Sequence, residues 1–257
     1  MTKDKKILLI GGSGNLGSAI IKSGLFKNLY YPKKSSLNLS KRNDLKKIFK
    51  KYNFDLIINC AAIARIVECE KDPSKAIKVN IEGTSNLVME ILSHNKSCKK
   101  KTKLIHMSSD AVYPSQSGNY FESSNLAPYN VYGWTKLASE FLVKFLDKYV
   151  IIRTRFFDKK KIKYIKSAKD IFTSKIEVNE LVKKIKMISM KNYNGILNIG
   201  SSRRSDYDVY KVFKKNLKPC KRKDIIKNLN VMLSKDSSMN ISLLRKIEKR
   251  KWEKKPS

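Results

Sequence analysis

Four of the chain's ten glycines fall within seven residues, Gly11-Gly12-Ser13-Gly14-Asn15-Leu16-Gly17. A short apolar stretch over 5–10 runs straight into this loop, and a helical pattern over 18–26 leaves it. Both Gly12-x-Gly14-x-x-Gly17 and Gly11-x-x-Gly14-x-x-Gly17 can be read from it. A bound pyrophosphate needs backbone N–H groups that approach it without a Cβ in the way, at the positive end of a helix. Strand, glycine loop and helix in this order predict such a site, with a merely structural turn as the alternative.

The chain then alternates. A strand over 28–31 ends in Tyr31-Pro32-Lys33-Lys34-Ser35. Dinucleotide folds often carry an acid there to hold the adenosine ribose. Lys33 and Lys34 in its place favour a 2′-phosphate, hence NADPH, with NADH as the alternative. A helix over 42–52 puts Leu45, Ile48 and Phe49 on one face. A buried strand over 54–60 leads into Ala61-Ala62, small residues that let a dinucleotide lie against the backbone. Asp72-Pro73-Ser74 opens a long helix, with the proline in its first turn. A strand over 103–109 ends in Ser108-Ser109-Asp110, at the edge where open sheets bind ligands. A polar loop over 114–128 reads as a substrate lid, followed by a helix over 130–146 and a strand over 149–153. This order predicts an α/β fold, a Rossmann-like doubly wound parallel sheet, over residues 1–155.

Beyond Arg155 the pattern loosens into a lysine-rich connection (158–170), a helix (178–189), a strand (195–200) and a helix (206–215). The tail from Lys246 reads as basic and solvated, with Trp252 either tethering it or exposed. Residues 156–257 are expected to form a small, reduced C-terminal substrate lobe, with some segments returning to the Rossmann core.

Chemistry is expected where Ser109 precedes Tyr132-Gly133-Trp134-Thr135-Lys136. Residues four apart on a helix are neighbours on one face. An ammonium beside a phenol is expected to favour the phenolate and lower its pKa. The pair can then pass a proton to a carbonyl oxygen while a hydride reaches its carbon. Ser109 would bond the same oxygen. Spacing alone decides nothing, because Tyr30/Lys34, Tyr207/Lys211 and Tyr210/Lys214 share it. What distinguishes Tyr132 is its order, after the N-terminal glycine loop and the strand that ends in Ser108-Ser109.

The net charge of +34 invites a nucleic-acid reading. Yet only nine of the 56 basic residues are arginine, the side chain favoured for planar phosphate and base recognition, and the lysines spread along the whole chain. No specific nucleic-acid partner is expected. No apolar run approaches the ~20 residues that span a bilayer. Cys60, Cys69, Cys98 and Cys220 are irregularly spaced, which suggests free thiols in a cytoplasmic protein and no metal site. His94 and His106 read as structural, and Cys60 as packing.

These stretches resemble the extended short-chain dehydrogenase/reductase superfamily, and within it the dTDP-4-dehydrorhamnose reductases. The resemblance is carried by Gly11–Gly17, Asn59-Cys60-Ala61-Ala62, Glu70-x-x-Pro73, Val79-Asn80, the 107–113 and 128–137 stretches, Arg153-Thr154 and the 235–240 segment. It implies a Ser109/Tyr132/Lys136 triad and NADPH-dependent reduction of a nucleotide-linked 4-keto-deoxyhexose. It implies cofactor contacts at Gly11, Gly14, Asn15, Leu16, Gly17, Lys33, Lys34, Asn38, Leu39, Cys60, Ala61, Ala62, Asn80, Tyr132 and Lys136. Substrate contacts are implied at Ser109, Asp110, Val112 and Arg155, and a homodimer is one assembly compatible with it. The helix that usually follows the fifth strand is missing, so the cofactor half transfers better than the substrate half. Lys159, Lys160 and Lys161 stand there as a solvated run or as a grip on a diphosphate. An NAD-dependent epimerase or dehydratase and a non-catalytic dinucleotide-binding regulator are the competing functions.

Overall fold

The computed structural model describes residues 5–99, 101–226 and 233–249. Its centre is a six-stranded parallel sheet whose strands, in spatial order, cover 195–199, 149–154, 103–107, 56–59, 7–10 and 29–30. The first five strands are β1 (Ile7–Ile10), β2 (Leu29–Tyr30), β3 (Leu56–Asn59), β4 (Lys103–Met107) and β5 (Tyr149–Thr154). Every residue of β1 and β3 is buried, as a sheet covered on both faces requires. The chain starts in the middle of the sheet, visits one edge at β2, then returns through β3 toward the other edge. The strand order therefore reverses between β1 and β3, and the crevice at their carboxyl ends is where such sheets bind ligands.

The helices are α1 (Asn15–Lys22), α2 (Arg42–Lys51), α3 (Ile66–Lys71), α4 (Pro73–Ile77), α5 (Gly83–Ser97) and α6 (Val131–Val143). α1 starts earlier than the sequence pattern suggests, because Gly14 takes the extended N-cap conformation, and it ends before Gly24 at φ +63°. The single long helix expected from Asp72 is instead α4 and α5 joined by a π-helical turn over Lys78–Glu82. Asp72 caps it, accepting from the Lys75 N–H at 2.9 Å. α3 was not foreseen; its one fully buried side chain is Cys69.

After β5 come β6 (Phe156–Phe157), β7 (Lys166–Ala168), β8 (Phe172–Thr173), β9 (Ile176–Glu177), α7 (Val178–Met190) and β10 (Gly195–Ile199). β11 (Arg204–Ser205), α8 (Asp206–Lys211), β12 (Lys218–Cys220), α9 (Arg222–Ile226) and α10 (Ser242–Lys249) complete the described chain. β10 pairs along β5, and Leu181, Val182, Ile185 and Ile188 of α7 join the core built on β1, β3 and β4. Leu244 and Ile247 of α10 are buried in that same core. The segment from Lys246 to Lys249 is thus a packed amphipathic helix, not a solvated tail; Trp252 lies outside the described residues. The opposite face of the sheet is covered by α2 and α5, with Val143 of α6.

The 114–128 loop is not a free lid in this structure. Tyr120 is buried, its N–H donates to Ser238 O at 3.0 Å, and its carbonyl accepts from Asn240 N–H at 2.8 Å. No helix among the described residues is long and apolar enough to cross a membrane.

Candidate active site

The glycine loop is shaped by contacts that exclude side chains. Gly11 sits at φ +82°, and a Cβ there would lie 2.6 Å from Ala61 N. A Cβ on Gly17 would lie 2.2 Å from Gly11 O, closer than any real contact. Gly14 has room at 3.4 Å, and its N–H donates to Gly11 O at 3.1 Å. No side chain caps the α1 N-terminus. Its orphan N–H groups are left for a ligand or solvent.

In front of this loop opens a cavity of about 740 Å³. Of the expected cofactor residues, Gly11, Gly14, Lys33, Lys34, Asn38, Leu39, Cys60, Ala61 and Ala62 line it. Leu16 and Gly17 are buried beneath the loop. Asn15 is exposed beside it, and its Oδ1 accepts from Lys161 Nζ at 2.8 Å. Asn80 stands behind the wall. Its side chain accepts from Ile63 N–H at 2.8 Å and donates to Ile63 O at 3.0 Å and to Thr135 Oγ1 at 2.9 Å. It therefore braces the strand end of β3 against α6. Glu68, Lys75 and Lys78, which the sequence did not single out, also line the cavity.

Asn130 caps α6, its Oδ1 accepting from Gly133 N–H at 2.7 Å. Gly133 lets the helix settle on the 110–112 turn, since a Cβ there would lie 2.3 Å from Ala111 O. This contact sets Tyr132 close enough to Ser109 for the serine to hold its pKa down. Ser109 Oγ also accepts from Ala111 N–H and donates to Asp110 Oδ1, both at 3.2 Å. Burial pushes the Tyr132 phenol up to about 12, assisted by the Asp110 and Cys69 charges and opposed by Ser109 and Arg155. The expected lowering by Lys136 is reversed. Desolvation dominates, and the Lys136 ammonium is turned toward His106, with Nζ 3.3 Å from Nε2. Lys136 is itself buried, and burial lowers its pKa to about 8 against the pull of Glu140 and Cys60. Burial likewise pushes the Cys60 thiol up to about 12, which suits packing and not redox chemistry.

On the other side of Tyr132 lies a cluster of paired charges. Arg155 approaches Asp110 Oδ2 at 3.7 Å and Ser237 Oγ at 3.4 Å. Lys175 Nζ donates to Asp206 Oδ1 at 2.7 Å and to Tyr210 OH at 3.0 Å. Lys175 and Asp206 carry no motif, and only their positions in the folded chain reveal them. Val112 is fully buried against Tyr113, Tyr120, Leu137 and Met239, so its side chain offers no substrate contact. The resemblance implied a contact at this residue, but the 110–112 turn points it into the core.

Beneath the cluster, Arg153 forms a two-pronged ion pair with Glu140, at 3.0 and 2.7 Å, with both side chains buried. Ser108 donates to the same carboxylate at 2.5 Å.

The sequence matches the RmlD substrate binding domain family over residues 5–181. The chain belongs to that family. As a family member it is 29% identical over 155 residues to the dTDP-4-dehydrorhamnose reductase of Aggregatibacter actinomycetemcomitans, covering 58% of this chain and 50% of that protein. It is also 30% identical over 146 residues to the methionine adenosyltransferase 2 subunit beta of Pongo abelii, covering 53% and 42%. The chain thus spans about half the length of the curated relatives it matches. The fold of this RmlD-family chain is that of the dTDP-4-dehydrorhamnose reductase from Bacillus anthracis str. Ames, solved in complex with NADP. The TM-score is 0.82 at 21% identity, over 95% of this chain and 92% of that one.

Proposed function

We propose that the protein is an NADPH-dependent reductase of a nucleotide-linked 4-keto-deoxyhexose. The observation that carries this reading is Tyr132 under the influence of Ser109, with Lys136 on the same helix and coupled to Cys60, which lines the glycine-loop crevice. The residues fit a dinucleotide. Gly11 and Gly17 leave a cradle that a Cβ would fill, and Lys33, Lys34, Lys75 and Lys78 face only Glu68 among charged lining residues. Four lysines suit an added phosphate, and no acid lines the cavity at the end of β2. NADPH, when bound, supplies the hydride.

Tyr132 holds the proton. A phenol pushed up to about 12 stays protonated at neutral pH, which is the state a reduction needs. It releases that proton when charge develops on the ketone oxygen. Ser109 donates to the same oxygen once it exchanges its bond to Asp110, and this interaction strengthens as charge builds. Arg155, just past β5, and Lys175, between β8 and β9, supply positive charge for a diphosphate.

A second reading has its own support, the 30% identity to a protein named as a subunit of methionine adenosyltransferase. It makes the chain a dinucleotide-binding regulator. Following NADPH oxidation with a panel of 4-keto nucleotide sugars separates the two. Turnover that collapses in Tyr132→Phe supports the reductase. NADPH binding with no turnover on any member of the panel favours the regulator.

A further inference from the structure

His106 is fully buried on β4 and has no part in the chemistry described so far. Along β4 the side chains alternate, so Leu104 and His106 face the side covered by α5 and α6, while Ile105 and Met107 face α7. Its ring is enclosed by three polar groups. Asn59 Nδ2 lies 3.3 Å from Nδ1; Ser139 Oγ lies 3.0 Å and Lys136 Nζ 3.3 Å from Nε2.

The directions of these bonds can be resolved from the groups' other partners. Asn59 Oδ1 accepts from Ala61 N–H at 3.1 Å, which turns the amide so that its NH₂ faces the ring. Nδ1 is therefore an acceptor. A neutral imidazole that accepts at Nδ1 carries its hydrogen on Nε2. Ser139 uses its one hydrogen on Lys136 O at 2.7 Å, so its oxygen is free to accept from Nε2–H. With its one hydrogen shared toward Ser139, Nε2 has no lone pair to offer Lys136 Nζ. An ammonium can only donate and finds no acceptor at Nε2, whereas a neutral amine needs none and its lone pair can share the Nε2 hydrogen with Ser139.

We infer that His106 is a positioning residue: held as the Nε2–H tautomer by Asn59 and Ser139, it favours the neutral amine of Lys136 and makes that lysine a titrating group instead of a fixed charge. The charged and titratable groups facing Lys136 are few. Glu140 shares its helix, Cys60 follows β3 and His106 comes from β4. Burial already lowers Lys136 to about 8 and keeps His106 neutral, its pKa well below the ordinary value. The consequence for catalysis rests on the reductase reading; the tautomer and the titration do not.

The test begins with the unaltered protein. It has only two histidines, so nitrogen NMR of the ring of His106 is assignable against His94. The expected spectrum has a hydrogen on Nε2, and the Lys136 side-chain carbon shift should titrate near pH 8. A hydrogen on Nδ1, or a Lys136 midpoint at the ordinary ~10.4, overturns the inference. Asn59→Asp is close to isosteric, still accepts from Ala61 N–H, and instead takes a hydrogen from Nδ1. Nε2 then accepts from Lys136, whose midpoint should rise by about one unit or more. The added carboxylate charge is controlled by repeating the change in a His106→Phe background, where most of that rise should vanish. A rise of the same size without His106 overturns the inference. The reductase reading is judged separately. In the parent, the kcat profile should fall as pH rises through the Lys136 midpoint, and that limb should move up in Asn59→Asp. A parent that reduces no keto sugar but gives the stated NMR result removes the reductase reading and leaves the His106 assignment standing.

Discussion

The two sides of Tyr132 are built on different principles. The crevice side is made of backbone and small residues, Gly11, Gly17, Ala61 and Ala62, with charges almost all of one sign. Its shape is steric, and every lining residue falls within 10–79. The lobe side is made of opposite charges that already satisfy one another, Arg155 with Asp110 and Lys175 with Asp206. Its residues come from four separated segments. Burial and Arg155 hold the Lys175 ammonium below its ordinary pKa, so the cluster is poised by its own members. The contrast teaches that a cofactor wall selects by what it leaves out, whereas a substrate wall selects by charges placed in advance.

The comparison breaks most sharply at Tyr132, which serves both sides. Tyr132→Phe keeps the ring and removes the proton, so kcat should fall by about 10²–10⁴-fold while NADPH affinity stays close to the parent's. Stopped-flow binding alongside steady-state turnover measures both. Equal turnover would remove the triad.

The next effect falls on stability. Arg153→Met leaves Glu140 buried without its partner, which costs about 3–5 kcal/mol in urea unfolding. Adding Glu140→Leu should recover most of that loss, because the uncompensated charge and not the missing pair is the main penalty. If the double variant is as unstable as the single, the pair carries more than charge balance.

Gly17→Ala and Gly14→Ala sharpen the steric claim for the crevice. A methyl at residue 17 meets Gly11 O and should cost about 1–3 kcal/mol, together with the loss of NADPH binding. At residue 14 the methyl has room, so stability should change by less than about 1 kcal/mol and only cofactor affinity should weaken. Calorimetry and thermal unfolding on both variants decide it.

The smallest effect concerns the lysines. Changing Lys33 and Lys34 to serine should erase a preference for NADPH over NADH of about tenfold, or ~1.4 kcal/mol. The same change at Lys75 and Lys78 reports whether these lining lysines share the work. A parent that binds NADH as well as NADPH contradicts the assignment of all four.

The glycine loop, the buried strands and the Tyr132 helix were legible in the sequence because each is a local object. Glycine density, a run of Ile and Leu, and a four-residue spacing are set by neighbours along the chain, and sterics and helical period translate them directly into geometry. The π-helical turn at Lys78–Glu82 broke that translation, as did Val112, which the family resemblance put in the site and packing took out of it. What only the tertiary structure decided are the contacts across sequence. They include Lys75 and Lys78 lining one cavity with Lys33, Lys175 meeting Asp206, and His106 meeting Lys136 30 residues later. The direction of the Tyr132 shift belongs with them. Spacing places a lysine beside a phenol, but desolvation depends on everything else packed around the pair, and no period in the chain records that.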